Sequence, residues 1–320
     1  MVTCAVNGFV HVNNLCSCEL AAYLIKYDSV HGTWDKNVVV LDDGLGFTVD
    51  GKLVTFTRCK DYKEVDWRGQ IGHGVHGEVP QGQGALNDYF DVCGVKRIVV
   101  SAPVKEAGCL NIVLGCNDQL LTEKSRLITN ASCTTNCEGH QGEFRYQAWV
   151  HHHRSQRDCH SERQSPMRLV RNAQSPPHLH LYRQFHGHRG DLPQTQGEAQ
   201  QTRHTRFSLN ASLTDCVFEI EKEGGVTVEE VNAALKKASK EGPLKGILGY
   251  EVQPLVSTDY TNDAQSLIID TLSTQVIDKT MVKIYAWYDN ECSYSKRMAE
   301  LCHIVAAKFI AGVEPTFKYN

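Results

Sequence analysis

Seventy consecutive residues, Glu138 to Phe207, contain no lysine although the chain has 18, and they hold ten of its 15 histidines, ten arginines and ten glutamines. Neither a 3.6-residue nor a 2.0-residue apolar period is sustained across them, so they carry no pattern for an amphipathic helix or a half-buried strand. Regular patterning lies on either side. A fold therefore has to be organised from the residues before 138 and after 207. With 320 residues, 41% of them hydrophobic, the chain is long enough for two ordinary domains, each burying its own core.

The first half has an α/β rhythm. Val2 to Phe9 alternates loosely and ends in Asn7-Gly8, a strand running into a turn, and Val10-His11-Val12 follows at once as a second strand. Glu19 to Lys26 has helical spacing. Val38 to Leu41 and Leu53 to Phe56 read as strands, Arg97 to Ala102 as a buried strand stopped by Pro103, and Asn111 to Gly115 as another. After Ser208 the pattern returns. Cys216 to Ile220 and Val282 to Trp287 read as strands, and Thr227 to Lys240 as an amphipathic helix, acidic early and lysine-rich late. A final helix is expected from about Ser295 to Phe309.

The formal charge is -4, with 33 Lys+Arg against 37 Asp+Glu, which gives no general electrostatic reason to seek nucleic acid or an anionic membrane. The segment 138–207 carries six acidic residues and lacks interleaved aromatics of the stacking kind, so no nucleic-acid partner is expected. No run of about 18 apolar residues occurs, and the start MVTCAVNGF lacks a basic n-region followed by an apolar stretch and a cleavage site. The expectation is a cytoplasmic protein with a small-molecule ligand. The 13 cysteines are scattered and lack two CxxC pairs at zinc-finger spacing, so reduced thiols and no metal site are expected.

One cysteine has a context that suits chemistry. Asn130-Ala131-Ser132-Cys133-Thr134-Thr135-Asn136-Cys137 follows the apolar Leu127-Ile128. A cysteine at a strand-to-helix turn lies where backbone N–H groups and the helix dipole stabilise a thiolate, which can then attack a carbonyl carbon. The same residues also read as a helix N-cap, Ser132 or Thr134, beside an inert cysteine.

NASCTTNC resembles the nucleophile signature of the glyceraldehyde-3-phosphate dehydrogenase family. Asp28-Ser29-Val30-His31-Gly32, Ser101-Ala102-Pro103, Asn117-Asp118, Gly242 to Leu248, and Trp287-Tyr288-Asp289-Asn290-Glu291 with Tyr294-Ser295 occur in the family's order and spacing. VSAPVKE, LNASLTDCVFE and KIYAWYDNE look closest to the branch associated with arsenate resistance. The resemblance implies a Rossmann-type NAD(P)-binding domain, residues 1–132 and 290–320. It adds an α+β catalytic domain with a mostly antiparallel sheet, residues 133–289. It implies a phosphorylating aldehyde dehydrogenase using NAD or NADP, a homotetramer when intact. Cys133 would form a thiohemiacetal with an aldehyde phosphate, and phosphate or arsenate would release the acyl group. Ser132 and Thr134 match positions near that anion, and Asn290 the residue that holds the nicotinamide carboxamide. Asn7 and Gly8 match the start of the cofactor turn, Asn13 and Asn14 the adenosine-ribose contacts, and Ser101 a further cofactor position.

The sequence departs from that pattern in places. Gly8-Phe9 runs straight into the second strand, so the pyrophosphate turn and its helix are absent and the first βαβ unit is truncated. Gly72 to Gln81, read one nucleotide later, permits D-M-E-C-T-G-K-F-R, and Arg183 to Gln201 permits a run resembling the family's STGxA…YPxLKGKLN. Ala148 to His153 similarly permits H-G-S-[IT]-[IT], which makes the three histidines an accident of frame. No histidine between His140 and His204 stands in the family's TTxHxxT context, so no general base is assignable. The fold is expected to be disrupted at about 138–207. Turnover of the chain as written is expected to be poor, since an imidazole base is worth roughly 10²–10⁴ in rate.

Overall fold

The computed structural model describes residues 11–67, 86–102, 104, 108–131, 150–158, 180–182, 204–206, 211–220 and 224–311. Its first strand, β1 (His11–Asn13), leads into α1 (Cys18–Lys26), whose N-cap Ser17 accepts the Leu20 N–H. The helix turns its small residues Cys18, Ala21 and Ala22 onto Phe47, Val54 and Phe56, which lets it lie close against a sheet. A short ribbon, β2 (Tyr27–Asp28) and β3 (Gly32–Thr33), follows, then β4 (Val38–Val40), β5 (Gly46–Val49) and β6 (Lys52–Thr57). The sheet order is β1-β6-β5-β4, with β1 parallel to β6 and the remaining pairs antiparallel. Asp50 and Gly51 both have positive φ (48° and 80°), the paired left-handed turn that a two-residue hairpin favours.

The short helix α2 (Asp88–Asp91) precedes three parallel strands, β7 (Ile98–Val100), β8 (Leu110–Asn111) and β9 (Leu127–Thr129), in the order β7-β9-β8. Every residue of β7 and β9 is buried because both faces are covered. Val99 and Ile128 face Met298, Leu301 and Val305 of the last helix, whereas Ile98, Val100 and Leu127 face Leu86, Tyr89 and Val95.

The largest sheet has the order β10-β13-β16-β15-β14. It comprises β10 (Val150–Asp158), β13 (Ser212–Ile220), β14 (Leu248–Glu251), β15 (Leu267–Ile277) and β16 (Met281–Tyr288); β14 and β15 are parallel and the other pairs antiparallel. A separate two-stranded ribbon joins β11 (His180–Tyr182) to β12 (His204–Arg206). The helix α3 (Val228–Lys240) lays Val231 and Leu235 on Cys216, Phe218, Ile220, Val282, Ile284 and Ala286, the inward alternate residues of β13 and β16. The chain closes the parallel sheet with α4 (Cys292–Ala306), which ends in a wider turn over Ala307–Ala311.

Three sequence expectations are corrected in detail. The strand expected over Asn111 to Gly115 is confined to Leu110–Asn111. Asn117 Oδ1 takes the Val113 N–H (2.8 Å) and Asp118 Oδ1 the Gly115 N–H (3.0 Å), folding 113–118 into a turn. The last helix starts at Cys292 rather than near Ser295, because Asp289 accepts its first N–H groups. Within 138–207, where no periodicity was found, β10 pairs with β13 through a register that slips between Val150 and His152 and between His153 and Gln156. Backbone pairing along one neighbour tolerates such slips without a side-chain period. The first strand expected over Val2 to Phe9, with Asn7 and Gly8, lies outside the described residues.

Candidate active site

The chain leaves β9 under tight control. Thr129 donates its hydroxyl to the Ala102 carbonyl (2.9 Å) and accepts the Ala131 N–H (3.2 Å), tying β9 to the end of β7. Asn130 Nδ2 donates to the Tyr294 carbonyl and Tyr294 Oη to the Ala131 carbonyl, each at 3.4 Å. Thr129 and Asn130 are wholly buried. Ala131 then takes a φ of +56°, an uncommon and costly conformation for a residue with a side chain. Cys133 is two residues further on; with Ser132 and Thr134 it lies outside the described residues. The framework that delivers it is nonetheless fixed: β7, β9 and the first turns of α4.

Asn290 stands just past β16 and pairs with Ser212, the first residue of β13. The Asn290 Nδ2 donates to Ser212 Oγ at 2.7 Å, and that hydroxyl donates to Asn290 Oδ1 at 3.0 Å. An amide has two N–H donors and two acceptor lone pairs, so one of each remains for a ligand. Ser212 was not among the residues singled out from the sequence. Its signal there was its place in LNASLTDCVFE, which says nothing about its partner.

The residue before Asn290 anchors the turn. Asp289 is fully buried, its Oδ1 accepting the N–H groups of Glu291 (2.9 Å) and Cys292 (2.8 Å) and its Oδ2 that of Asn262 (2.9 Å), while its carbonyl accepts the Ser293 hydroxyl (2.6 Å). Burial, reinforced by the nearby Asp289 and Asp263 carboxyls, pushes the Cys292 thiol up to about 11, so it stays protonated and is no second nucleophile. His31, from the turn between β2 and β3, reaches the same place: its Nδ1 lies 2.6 Å from Asn262 Oδ1 and its Nε2 3.2 Å from Glu291 Oε2.

The other expected cofactor residues among those described, Ser101, Asn13 and Asn14, sit at the carboxyl ends of parallel strands, where open α/β sheets bind ligands. Ser101 follows β7 and is half-buried. Asn13 ends β1, but its Oδ1 accepts both the Thr57 hydroxyl and the Cys59 N–H (2.9 Å each) and its Nδ2 donates to the Cys59 carbonyl (3.0 Å). Those bonds close β1 onto β6 and leave one N–H of the Asn13 amide. Asn14 uses only Oδ1, on the Cys16 N–H at 3.1 Å, and keeps its Nδ2 to offer. Asn117 and Asp118 shape the 113–118 turn and are structural.

Residues 5–75 match the family model described as Glyceraldehyde 3-phosphate dehydrogenase, NAD binding domain, and residues 192–290 match Glyceraldehyde 3-phosphate dehydrogenase, C-terminal domain. The chain is 40% identical over 313 residues to glyceraldehyde-3-phosphate dehydrogenase 3 of Nostoc sp., an alignment covering 93% of this chain and 90% of that relative. The chain belongs to the glyceraldehyde-3-phosphate dehydrogenase family. Glyceraldehyde-3-phosphate dehydrogenase of Geobacillus stearothermophilus is 37% identical over 319 residues, and glyceraldehyde-3-phosphate dehydrogenase 1 of Bacillus subtilis 35% over 319; each alignment covers 93% of this chain and 91% of the relative.

The dinucleotide expected of a family member can be tested against the described residues. Two of the side chains expected to hold it carry groups of a suitable kind. Asn290, held by Ser212, presents the donor and acceptor that complement a primary carboxamide, and Asn14 presents an amide donor beyond β1. Among the described residues, no helix is long and apolar enough to cross a membrane.

Proposed function

We propose that this chain is an NAD-dependent phosphorying aldehyde dehydrogenase of its family's type, with Cys133 as the nucleophile. The observation that carries the reading is the Asn290–Ser212 pair, an oriented amide one turn before Tyr294, which itself holds the end of β9 two residues before Cys133. Cys133 attacks the aldehyde carbon of a phosphorylated substrate to give a thiohemiacetal, and loss of hydride from that carbon leaves a thioester on its sulfur. NAD, when bound, supplies the hydride acceptor. Ser132 and Thr134 receive phosphate, whose attack on the thioester carbon forms the acyl phosphate and returns the Cys133 thiolate; arsenate has the same shape and charge and serves equally. Asn290 orients the nicotinamide end, and Asn14 and Ser101 line the rest of the cofactor path.

The packing of α4 on the parallel sheet of β7, β8 and β9 supports a division that joins 290–320 to 1–132 and leaves 133–289 as the catalytic domain. We read the protein as cytoplasmic and tetrameric. Without an imidazole in the TTxHxxT context, proton transfer falls to water, and turnover is lower by roughly 10²–10⁴.

The test is NADH formation from an aldehyde phosphate with NAD and phosphate, alongside iodoacetamide labelling located by mass spectrometry. Slow turnover that Cys133→Ser abolishes, with Cys133 the first thiol labelled, supports the reading. Unchanged turnover in Cys133→Ser overturns it.

A further inference from the structure

We propose that His31 is a positioning residue for the Asn290 amide, fastening the 289–291 turn from across the fold; the proposal rests on the reading of Asn290 as the ligand of the nicotinamide carboxamide. His31 belongs to the Asp28-Ser29-Val30-His31-Gly32 motif, to which the chemistry above gives no task. Asp28 Oδ1 accepts the N–H groups of Val30 and His31, each at 2.8 Å, and that closed turn presents the imidazole outward from the β2–β3 ribbon.

What it meets is the turn that carries Asn290. Nδ1 faces Asn262 Oδ1 at 2.6 Å, Nε2 faces Glu291 Oε2 at 3.2 Å, and Asp289 Oδ2 lies 3.9 Å from Nδ1. Asn262 is gripped from both sides, since its own N–H donates to Asp289 Oδ2 at 2.9 Å and its backbone is left-handed at φ +70°. Asn290 is thus flanked by two residues, Asp289 and Glu291, whose carboxylates both engage the His31 network. Both ring nitrogens face oxygen acceptors, and only an imidazolium donates from both at once.

Carboxylates face the ring from two turns. Asp28 lies on its own turn, Asp289 and Glu291 on the turn after β16, and Asp263, next to Asn262, faces Asp289. Partial burial pulls the imidazole down, but the Asn262 bond and the Asp289, Glu291 and Asp28 carboxylates outweigh it and leave the pKa above the ordinary value. A neutral ring can keep only one of its two bonds, so deprotonation loosens one side of the turn.

The experiment reads the Asn290 side-chain amide directly, in the full chain labelled with nitrogen-15 asparagine, its signal assigned by its loss in Asn290→Asp. The wild-type signal is expected to shift with pH along the His31 titration, and His31→Ala is expected to move the signal and abolish that pH dependence. His31→Gln keeps one donor, removes the charge and serves the same comparison if His31→Ala does not fold. An Asn290 signal that follows pH identically in wild type and variant overturns the proposal. NAD affinity is measured in parallel: if Asn290→Ala leaves it unchanged, the ligand reading fails, whereas the amide signal still decides whether His31 positions Asn290.

Discussion

Asn290 and Ser212 hold each other twice, the amide donating at 2.7 Å and accepting at 3.0 Å from one hydroxyl. The pairing joins the first residue of β13 to the turn after β16, and it leaves the amide with a single orientation. Removing the hydroxyl with Ser212→Ala frees the amide to rotate. A neutral hydrogen bond is worth about 0.5–1.5 kcal/mol net, so the KM for NAD is expected to rise by roughly 2- to 12-fold. Steady-state kinetics at varied NAD checks this, and an unchanged KM would separate Asn290 from the cofactor.

Arg297 and Glu300 form a buried ion pair within α4, with Nη2 donating to Oε1 at 2.9 Å and Nε 2.9 Å from Oε2. Each side chain is only 1–2% exposed. Burial pushes the Glu300 carboxyl up, and Arg297, then Lys296, act against it. Glu300→Gln takes the Glu300 carboxylate away from a buried guanidinium and is expected to cost up to about 3–5 kcal/mol in urea unfolding. Replacing both residues with apolar ones of similar volume is expected to recover most of that loss.

What the sequence made legible follows from how each element earns its stability. Runs such as Ile98 to Val100 are buried on both faces, so their composition alone announces a strand, and Thr227 to Lys240 carries its apolar face and caps in its own residues. Asn111 to Gly115 misled because its apolar residues are buried by Ile247 and Leu301 while the N–H groups of Val113 and Gly115 go to Asn117 and Asp118, a competition that periodicity does not register. At the site, Asn290 was legible through a motif, but its bond to Ser212 was not: the two lie 78 residues apart in the chain, and only the antiparallel pairing of β13 and β16, with Ser212 opposite Tyr288, brings them together. His31 and Asp289 are likewise joined only by the tertiary fold.

Thr227 and Glu230 close a reciprocal box at the start of α3: the threonine hydroxyl accepts the Glu230 N–H at 3.2 Å and Glu230 Oε2 accepts the Thr227 N–H at 3.0 Å. Thr227→Ala removes one half and is expected to destabilise the protein by about 1 kcal/mol. Because Val231 and Leu235 of α3 pack on Cys216, Phe218, Ile220, Val282, Ile284 and Ala286, whereas the Asn290 amide is held by Ser212, KM for NAD is expected to stay at its wild-type value. Unfolding curves and kinetics on the same sample test both halves of the statement.

The His31 network also sets a sign for stability against pH. The folded protein holds the imidazolium more tightly than the unfolded chain does, so the folded pKa lies above the ordinary value of 6.5. The stabilisation is complete below 6.5 and is lost as pH rises through the folded pKa, because the native state then binds more protons than the unfolded state. His11 acts in the opposite sense: burial between Thr55 and Thr57 lowers its pKa in spite of Asp66, so its contribution grows as pH rises towards 6.5. A single stability profile would mix the two. The difference in unfolding free energy between wild type and His31→Ala cancels His11, and it is expected to shrink steadily as pH is raised above 6.5. A difference that is flat or grows over that range would mean that the ring is held neutral, with Glu291 or Asn262 released from it.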